Sequence, residues 1–357
     1  MKKIRMGVIG LGGISNVHIS GIRESQDAEL VAVCDIDPEV LARKGELHGI
    51  PESHRFVDYR ELLACPDVDA VSIGTPNSLH YCMAMDAVRY GKPFALEKPV
   101  TLNKEEASRL RDAVREAGLP NMTCFSYRFK SSARHARYLI EQGLLGEINH
   151  IYGQYIQSWG NMKEIPLVWR YRKDCSGSGA LGDLGSHILD LARFVVGKEI
   201  RKVCAHAQTI VKERKIPGSE EYGKVDVDDY CHFLAELKDG GSAVFEISRF
   251  GYGKDNFQRL EVYGNKGGLI YHLDEDGQDS DTLSICIGEA YARARNYQKV
   301  HSHAYLYKAN QMQSFFDILR GRGDGLAATI EDGYVNQKVL DAIIESFEKN
   351  KWVEIYD

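Results

Sequence analysis

The fold is decided by residues 4–15, IRMGVIGLGGIS, where an apolar run leads directly into a glycine-rich turn. The run Ile4–Ile9 is typical of a buried strand, and GLGGIS has the form GxGxxG with Ser15 in the last position. Gly10 permits a tight turn, Gly12 lets the backbone approach a pyrophosphate, and the last position needs only a small side chain. The stretch predicts a dinucleotide-binding strand–turn–helix unit. The alternative is a related domain that binds another nucleotide or none.

An acidic residue follows the second predicted strand. Leu30–Cys34 ends in Asp35, twenty residues after Ser15. A carboxylate there can accept hydrogen bonds from both adenosine ribose hydroxyls and would repel a 2′-phosphate. Because neither arginine nor lysine occurs between Asp35 and Val40, NAD is predicted as the cofactor, with NADP less favoured.

The first 125 residues alternate between β-rich runs and helical patterns. The predicted strands are Ile4–Ile9, Leu30–Cys34, Ala70–Ile73, Pro93–Leu96 and Met122–Phe125. The predicted helices are Ile14–Arg23, Pro38–Leu47, Tyr59–Leu63, Ser78–Tyr90 and Lys104–Ala117. This alternation, with apolar strands, predicts a doubly wound parallel sheet covered on both faces. Its ligand crevice would lie at the carboxyl ends of the strands.

After Phe125 the pattern changes to strands in series. The predicted strands are Ile148–Ser158, Val203–Ile210, Asp229–Leu237, Ser242–Ser248, Gln258–Tyr263 and Gly268–Leu273. The turns DGG at 239–241 and GNKGG at 264–268 are typical of hairpins, so the sheet is predicted to be mostly antiparallel. The predicted helices in this part are Ser132–Gln142, about Ala180–Val196, Ser302–Arg320 and Ile330–Lys349.

Composition narrows the class of protein. The chain has 357 residues, a net charge of −6, 43% hydrophobic and 27% charged residues, which is ordinary for a globular protein and favours two domains. The mild acidity argues against a nucleic-acid partner, and no apolar run approaches the roughly 20 residues of a membrane span. The start, MKKIRMGVIGLGG, is too short and glycine-broken for a signal peptide, so a cytoplasmic location is expected.

The distribution of cysteines also favours a cytoplasmic location. The eight cysteines are scattered without a CxxC pair. We therefore expect reduced thiols and neither disulfides nor a cysteine-based zinc site.

Two short motifs follow predicted strand ends. Thr75, Asn77 and His80 in GTPNSLH would face the crevice, although Asn77 could simply be a helix N-cap. In Glu97-Lys98-Pro99, an ammonium could hydrogen-bond a substrate oxygen and lower its pKa, while Pro99 could fix the backbone with a cis bond. The alternative for Lys98 is a solvated surface lysine. The predicted cofactor-binding residues are Gly10, Gly12, Gly13, Ile14, Asp35, Thr75, Asn77, His80, Glu97 and Lys98.

The third motif is GSGALGDLGSHILD at 177–190. Asp183, His187 and Asp190 are spaced i, i+4, i+7 and share one face of a predicted helix. An apolar stripe roughly 100° away comprises Leu184, Ile188, Leu191 and Val195. Histidine suits a general acid or base, and Asp183 could orient the substrate or the imidazole. Two alternatives remain: the aspartates merely hold a buried histidine, or the pair contributes metal ligands that need a third from elsewhere.

Together these motifs resemble the glucose–fructose oxidoreductase / inositol dehydrogenase (Gfo/Idh/MocA) family. The resemblance rests on GLGGIS at 10–15, CDID at 34–37, GTPNSLH at 74–80, LEKP at 96–99 and GSGALGDLGSHILD at 177–190. It extends through ISRF at 247–250, EVYGNKGGL at 261–269 and EDGYVNQKVLDAIIES at 331–346, and so covers nearly the whole chain. Ser15 departs from the family, where glycine or alanine is common.

The resemblance implies an α/β protein of two domains. Residues 1–125 would be an NAD-binding Rossmann domain with a doubly wound parallel sheet. Residues 126–357 would be an α+β domain with a large open, mainly antiparallel sheet, used for substrate binding and oligomerisation. In the family that sheet often packs face to face, which implies a homodimer or homotetramer.

The resemblance also implies an activity. Family members oxidise a secondary ring hydroxyl of a sugar, sugar glycoside or inositol to a ketone with NAD(P). Lys98, Asp183 and His187 match the family's catalytic residues: His187 would be the general base, Lys98 would stabilise the alkoxide, and Asp183 would hold the substrate. Alternatives are an NAD-using redox-neutral glycosidase, a keto-sugar reductase, or a non-catalytic NAD-binding regulator.

Further substrate-binding residues follow from the same resemblance. Tyr127, Arg128 and Trp169 are expected to bind the substrate together with Lys98, Asp183 and His187. Aromatic faces suit the CH face of a sugar or cyclitol ring. The alternative is that Tyr127, Arg128 and Trp169, like their neighbours Trp159, Arg170 and Arg172, pack the sheet.

Overall fold

The computed structural model describes residues 2–274, 280–303 and 309–356. The chain forms two compact units. The first comprises Met1–Phe125 with Ala309–Val335, and the second comprises Ser126–Lys308 with Asn336–Asp357. Residues 309–335, which the sequence analysis assigned to the second domain, therefore pack with the first unit.

The first unit is built on a parallel sheet of six strands in the order β3-β2-β1-β4-β5-β6. The strands are β1 Ile4–Ile9, β2 Ala28–Cys34, β3 Arg55–Phe56, β4 Ala70–Ile73, β5 Phe94–Leu96 and β6 Asn121–Thr123. The helices between them are Ser15–Glu24, Pro38–His48, Tyr59–Ala64, Asn77–Arg89 and Lys104–Ala117. This confirms the predicted doubly wound sheet. The short strand β3 was not predicted.

The strands β1 and β4 lie side by side at the middle of this sheet. Every residue of β4 is buried, because helices cover both faces. The strands β2 and β3 lie on one side of β1, whereas β4, β5 and β6 lie on its other side. In sheets of this kind the connections after the two central strands run to opposite faces, and the ligand crevice lies at the carboxyl ends of these strands.

The segment 309–335 joins the first unit through specific bonds. Its helix Gln311–Leu319 donates from Gln313 Nε2 to Asp27 Oδ2 at 2.8 Å. Ile330 N donates to Asn121 Oδ1 at 2.8 Å, next to the edge strand β6. These bonds, between residues distant in sequence, are the physical reason that a boundary drawn at residue 125 leaves part of the first unit out. The helix Ile330–Lys349 contributes 330–335 to the first unit and its remainder to the second.

The second unit contains a sheet of nine strands in the order β16-β15-β14-β13-β7-β12-β11-β8-β17. All neighbours are antiparallel except β7 and β12. The strands are β7 Ile148–Ile156, β8 Ile200–Gln208, β11 Tyr230–Leu237, β12 Ser242–Ser248, β13 Phe257–Gly264, β14 Gly267–Leu273, β15 Asp281–Ile287, β16 Gln298–Val300 and β17 Val353–Glu354. A separate hairpin consists of β9 Glu213–Lys215 and β10 Tyr222–Lys224. The mostly antiparallel sheet was predicted, whereas β9, β10 and β15–β17 were not.

One face of this sheet is covered by helices and the other is open. The helices Ser131–Glu141 and Ser186–Val196 pack against it, and the strand residues on that side are buried. The residues that alternate with them remain accessible, as the two-residue period of a strand requires. Further helices of the unit are Lys173–Ser176 and Glu289–Ala294.

Two predicted helices differ from the structure. Within the predicted helix Ser302–Arg320, the structure has the helix Gln311–Leu319, which the Asn310 side chain caps by accepting from Met312 N and Gln313 N. Residues 304–308 of that prediction lie outside the described residues. The predicted helix 180–196 is a π-helical turn, Leu181–Gly185, followed by the α-helix Ser186–Val196.

The helix Ser186–Val196 is buried on nearly all sides. Apart from Arg193, all its residues are buried, His187 and Asp190 among them. The apolar stripe and the titratable residues His187 and Asp190 are therefore both buried. The sheet lies on one side of this helix and helix Ser131–Glu141 lies beside it, so both faces are covered. In the described part of the chain, none of the helices has the length and apolar character that a membrane crossing requires.

Candidate active site

The glycine turn of the first unit has the geometry that its sequence predicts. Gly10 has a φ of +86°, and a Cβ on it would lie 2.7 Å from the carbonyl oxygen of Gly74. Both the backbone conformation and the close approach therefore exclude a side chain. Gly10 N donates to Cys34 O at 2.9 Å, and Gly74 N donates to Ile9 O at 2.9 Å. The loops after β1, β2 and β4 are thus tied together at the carboxyl edge of the sheet.

The residues at this edge fit a dinucleotide. A Cβ built on Gly12 or Gly13 meets nothing within 4 Å, so the backbone there is open to a pyrophosphate. The helix Ser15–Glu24 starts at this point without an acidic residue in its first turn, and its N-terminal N–H groups favour an anion. Ser15 is buried and its Oγ donates to Gly12 O at 2.7 Å, so the small residue packs as expected.

The carboxylate of Asp35 is fixed at the end of β2. Its Oδ2 accepts from Leu11 N at 2.7 Å and its Oδ1 accepts from Asp37 N at 3.0 Å. Each carboxylate oxygen keeps a second lone pair for a ribose hydroxyl. Asp37 is the N-cap of helix Pro38–His48, as predicted, because its side chain accepts from Glu39 N and Val40 N.

His80 lies between two loops at the carboxyl edge of the sheet. Its ring is fully buried, with Nδ1 2.7 Å from Pro99 O and Nε2 3.0 Å from Thr75 O. Burial lowers the pKa of His80. The ring thus connects the loop after β4 to the loop after β5, and a direct contact of His80 with the cofactor stays a prediction. Asn77 is the first residue of its helix, with Pro76 in the cap position, so the N-cap alternative is wrong.

Glu97 is also part of the interior. Its Oε1 lies 2.9 Å from His18 Nε2, and His18 Nδ1 lies 2.5 Å from Ser72 Oγ. Burial, the largest single influence, would raise the pKa of Glu97, but the hydrogen bond with His18 and the charge interactions with His18, Lys98 and His80 together lower the pKa below its usual value. Glu97 Oε2 accepts from Lys98 N at 3.3 Å. The carboxylate therefore anchors the backbone at Lys98, and its contact with cofactor stays a prediction.

Lys98 follows β5 directly and is half-buried. The peptide bond between Lys98 and Pro99 is cis, as the sequence analysis anticipated. Lys98 thus lies at the carboxyl edge of the parallel sheet, where the ligand crevice of such sheets is found.

In the second unit, Asp183 and His187 lie on consecutive turns. Asp183 is in the π-helical turn Leu181–Gly185, and His187 is in the first turn of helix Ser186–Val196. Such single π-turns within helices occur frequently at functional sites. The side chain of Asp183 is 23% exposed, and His187 is buried with 9% exposure.

The start of the π-turn is anchored by Asp228. Its Oδ1 accepts from Gly179 N and its Oδ2 accepts from Leu181 N, both at 2.7 Å. A Cβ on Gly179 would lie 1.8 Å from Asp228 O, so the glycine of GSGALGD is required by close backbone packing. Burial raises the pKa of Asp228, although the two N–H groups oppose that effect.

Aromatic rings enclose the imidazole of His187. The Tyr127 ring meets it edge-on with the centroids 4.8 Å apart, and the Tyr155 ring lies 6.1 Å away. The two tyrosine hydroxyls are 2.6 Å apart, and each can donate to Asn256 Oδ1. Burial, and next the Tyr127 hydroxyl, raise the pKa of Tyr155 well above its usual value. The contact of Tyr127 with His187 keeps Tyr127 a site residue.

Asp183 is held by a buried arginine. Arg249, 1% exposed, donates from Nη2 to Asp183 Oδ2 at 3.0 Å and to Gly179 O at 3.1 Å. Its guanidinium lies over the Trp159 ring, 4.6 Å from the centroid. Sequence reasoning missed Tyr155, Asn256 and Arg249 as neighbours of the site. The alternating strand pattern around them gives no signal that separates a site residue from a packing residue.

Arg128 is paired with Asp190 inside the second unit. It donates from Nε to Asp190 Oδ2 at 2.8 Å and from Nη2 to Asp190 Oδ1 at 2.5 Å, and both side chains are buried. This pairing supports the packing alternative for Arg128, and substrate binding by Arg128 stays a prediction. Asp190 lies three residues after His187 in the same α-helix and is bonded to Arg128. Trp169 is half-buried, and the guanidinium of Arg170 covers its ring at 4.5 Å from the centroid.

Two clusters of potential metal ligands lie among the described residues. The groups of three or more candidate ligands found there are His18 with Glu97 and Cys124, and His54 with Cys65 and Asp67. Neither group includes Asp183 or His187, so the metal alternative for His187 gains no support. All eight cysteines are free thiols.

The parallel sheet with its glycine turn and ribose carboxylate defines the first unit as an NAD-binding Rossmann domain of an oxidoreductase. A family model described as "Oxidoreductase family, NAD-binding Rossmann fold" matches residues 4–124. A second, described as "GFO/IDH/MocA C-terminal domain", matches residues 133–270.

Relatives are similar along nearly the whole chain. Levoglucosan dehydrogenase of Pseudarthrobacter phenanthrenivorans is 30% identical, covering 90% of this chain and 88% of the relative. Inositol 2-dehydrogenase of Rhizobium meliloti is 27% identical, covering 99% of both. A solved structure of levoglucosan dehydrogenase in complex with NADH and L-sorbose superposes with a TM-score of 0.90 at 28% identity, covering 100% of both chains. The chain belongs to the Gfo/Idh/MocA family of NAD(P)-dependent oxidoreductases.

Proposed function

We propose that this protein is an NAD-dependent dehydrogenase that oxidises a secondary ring hydroxyl of a sugar, sugar glycoside or inositol to a ketone. One observation carries the proposal: the imidazole of His187 is enclosed by tyrosines one turn from Asp183, whose carboxylate is held by a buried cation. This arrangement offers a proton acceptor and a fixed hydrogen-bond acceptor in one place. The relatives named as dehydrogenases of levoglucosan and inositol support the same substrate class.

Each proposed catalytic residue has a distinct task. NAD, when bound, supplies the acceptor for the hydride that leaves the carbon bearing the hydroxyl. His187 takes the hydroxyl proton, so that the carbon is left as a ketone and charge is conserved. Lys98 stabilises the developing alkoxide. The general-base help from His187 contributes about 10²–10⁴ in rate. Asp183 accepts a hydrogen bond from the substrate and orients it.

The surroundings of His187 suit this task. Burial beside the rings of Tyr127 and Tyr155 excludes water from one side of the imidazole. Low accessibility strengthens the electrostatic effect of each polar group that remains. Trp169, half-buried, and Tyr127 remain candidates for contact with the apolar face of the ring.

The proposal is tested with a substrate panel. Levoglucosan, myo-inositol, free glucose and a methyl glucoside are each offered with NAD and with NADP, and reduced cofactor is followed by absorbance. We expect NADH from at least one ring alcohol, and loss of turnover in His187→Ala and in Lys98→Met while NADH binding persists. Absence of reduced cofactor with every ring alcohol would overturn the proposal, and hydrolysis of the glycoside without net NADH would favour the glycosidase alternative.

We also propose that the open face of the nine-stranded sheet binds a second copy of the chain. Its centre exposes Leu234, Val244 and Tyr152 on adjacent strands. Beside these apolar residues, Glu246 on β12 and Arg259 on β13 line the same face, which gives the face charges of both signs. A face with an apolar centre and mixed charges can be complementary to itself in a two-fold interface.

A further inference from the structure

Arg249 and Arg214 are two buried arginines of the second unit, each 1% exposed. Together with the rings of Trp159 and Tyr171 they form one packed stack. Arg249 lies over the Trp159 ring, and Arg214 lies over the Tyr171 ring at 4.2 Å from the centroid. The Trp159 and Tyr171 rings meet edge to face with centroids 5.8 Å apart. Each guanidinium group therefore packs on an aromatic ring of the same cluster. The two groups differ in their hydrogen-bond partners, and these partners indicate the role of each arginine.

Arg214 is bonded as a structural cross-link. Its Nη1 donates to Met162 O at 2.8 Å and to Ile165 O at 3.0 Å, and its Nη2 donates to Gly160 O at 2.8 Å. These carbonyl groups belong to residues 160–165, a segment outside the sheets and α-helices, where Arg214 provides hydrogen bonds to the backbone. Arg214 touches neither Asp183 nor His187 in any of these bonds.

Arg249 is bonded differently. Only its Nη2 has hydrogen-bond partners among the described residues, Gly179 O and Asp183 Oδ2, whereas Nε and Nη1 have none there. Each buried donor left unsatisfied costs roughly 1–3 kcal/mol. For folding alone, an apolar side chain of similar volume would serve as well or better.

We infer that Arg249 is a positioning residue that holds the Asp183 carboxylate in the orientation needed at the candidate active site. The inference rests on the proposed function. Gly179 O fixes the guanidinium relative to the start of the π-turn, and the same nitrogen then fixes Asp183 Oδ2. Because Asp183 remains 23% exposed, its other oxygen can accept from a substrate hydroxyl.

The electrostatic surroundings fit this role. Arg249, Tyr155 and Tyr171 are among the groups of the second unit that interact with Asp183. Both tyrosines are neutral at physiological pH, since burial raises the pKa of each. Arg249 is thus the cation that compensates the Asp183 charge within this set, and a neighbouring cation favours the ionised form of a carboxylate.

A double-mutant cycle tests the inference. Arg249→Met is measured in the wild-type background and in Asp183→Asn, with kcat/KM determined for the panel substrate that the wild type oxidises fastest. If Arg249 acts through Asp183, its loss should lower kcat/KM on the order of 10²-fold in the wild type. In the Asp183→Asn background it should lower kcat/KM by less than about twofold, because the group it positions is already gone.

Arg214→Met is the matched control. It removes the other guanidinium of the stack, and we expect the same factor in kcat/KM whether or not Asp183 is present. NADH binding by fluorescence and thermal unfolding confirm that each variant is folded. If Arg249→Met does not fold, Arg249→Lys takes its place in the cycle, because lysine keeps the charge but lacks the planar guanidinium that lies over the Trp159 ring and fixes the direction of the bond to Asp183.

The outcomes separate two failures. Wild-type protein without turnover on any panel substrate overturns the proposed function. An active wild type in which Arg249→Met costs the same in both backgrounds, or nothing, overturns the role of Arg249 alone. If the effect of Arg214→Met on kcat/KM depends on Asp183 as strongly as the effect of Arg249→Met does, the loss comes from disrupted packing of the arginines and aromatic rings. That result would also overturn the positioning role of Arg249.

Discussion

Arg128 and Asp190 form a bidentate ion pair inside the second unit, with Nε–Oδ2 at 2.8 Å and Nη2–Oδ1 at 2.5 Å. The side chains are 6% and 2% exposed. The pair joins the turn Ser126–Phe129, which carries Tyr127, to the helix that carries His187. It therefore fixes the edge-on contact between Tyr127 and His187.

Removing one partner of this pair should destabilise the protein strongly. Arg128→Leu removes both charge-assisted bonds of Arg128 from the buried Asp190 carboxylate, and we expect a loss of about 3–5 kcal/mol in the free energy of unfolding, measured by urea denaturation. The control is Arg193→Leu on the same helix, whose partner Glu199 is 38% exposed. An exposed pair of that kind should cost less than about 1 kcal/mol. Equal losses in the two variants would contradict the structural role of Arg128.

Replacement of Gly10 should abolish cofactor binding. In Gly10→Ala, the added methyl meets Gly74 O at 2.7 Å in a left-handed backbone conformation, so the turn must shift. Gly49→Ala is the matched control, because Gly49 also has a positive φ, +71°, but its Cβ would meet nothing within 4 Å. We expect both variants to lose on the order of 1 kcal/mol in stability, and only Gly10→Ala to lose NADH binding by fluorescence titration. Normal binding in Gly10→Ala would remove the turn from the cofactor site.

The Rossmann domain was predictable because its signals are local. Each parallel strand is a short apolar run, and the turn, the ribose carboxylate and the Asp37 cap each follow from neighbouring residues. The short strands β3, β9 and β10 were missed because two or three residues are too few to show a period. The π-turn at Leu181–Gly185 has no signal of its own, since its glycines also fit an ordinary helix start.

Roles that depend on distant partners could not be predicted. Arg128 and Asp190 are 62 residues apart, and Arg249 and Asp183 are 66 apart, so neither pair leaves a local pattern. From sequence alone, an arginine near a proposed site is equally consistent with a substrate-binding residue and with a buried residue that forms a structural ion pair. Likewise, no local pattern around Glu97 indicates its bond with His18.

Loss of the Asp35 carboxylate should weaken NAD and relax the choice between cofactors. In Asp35→Ala, the ribose hydroxyls lose their acceptor and a 2′-phosphate loses the charge that repels it, so KM for NAD rises and the NADP-to-NAD ratio of kcat/KM increases. Asp37→Ala is the control. It removes only the cap that accepts from Glu39 N and Val40 N, costing about 1 kcal/mol of stability. A KM for NAD that is the same in Asp35→Ala as in the wild type would remove the ribose assignment.

Glu97 should make stability depend on pH. The pKa of Glu97 in the folded protein lies below its usual value of 4.5: burial raises it, but the hydrogen bond with His18 and the nearby charges together lower it by more. A depressed carboxyl pKa contributes stability that is present above the unfolded pKa and is lost as pH falls through the folded pKa. Glu97→Gln should therefore be less stable than the wild type at pH 7, and the difference should narrow below about pH 4.5. Denaturation curves across this range check it, with the exposed Glu116→Gln as control; a gap that is constant with pH would contradict it.

A charge placed on the open sheet face should prevent self-association. Leu234 is 50% exposed at the centre of that face, on β11 beside Val244 of β12. If a second copy covers it, Leu234→Glu buries an unpaired carboxylate at the interface, which is expensive, and light scattering after size exclusion should show a monomer. Leu47→Glu is the control, because Leu47 is 66% exposed on a helix of the first unit and away from the sheet. A Leu234→Glu variant with the oligomeric mass of the wild type, or a wild type that is already monomeric, would show that this face does not bind a second copy.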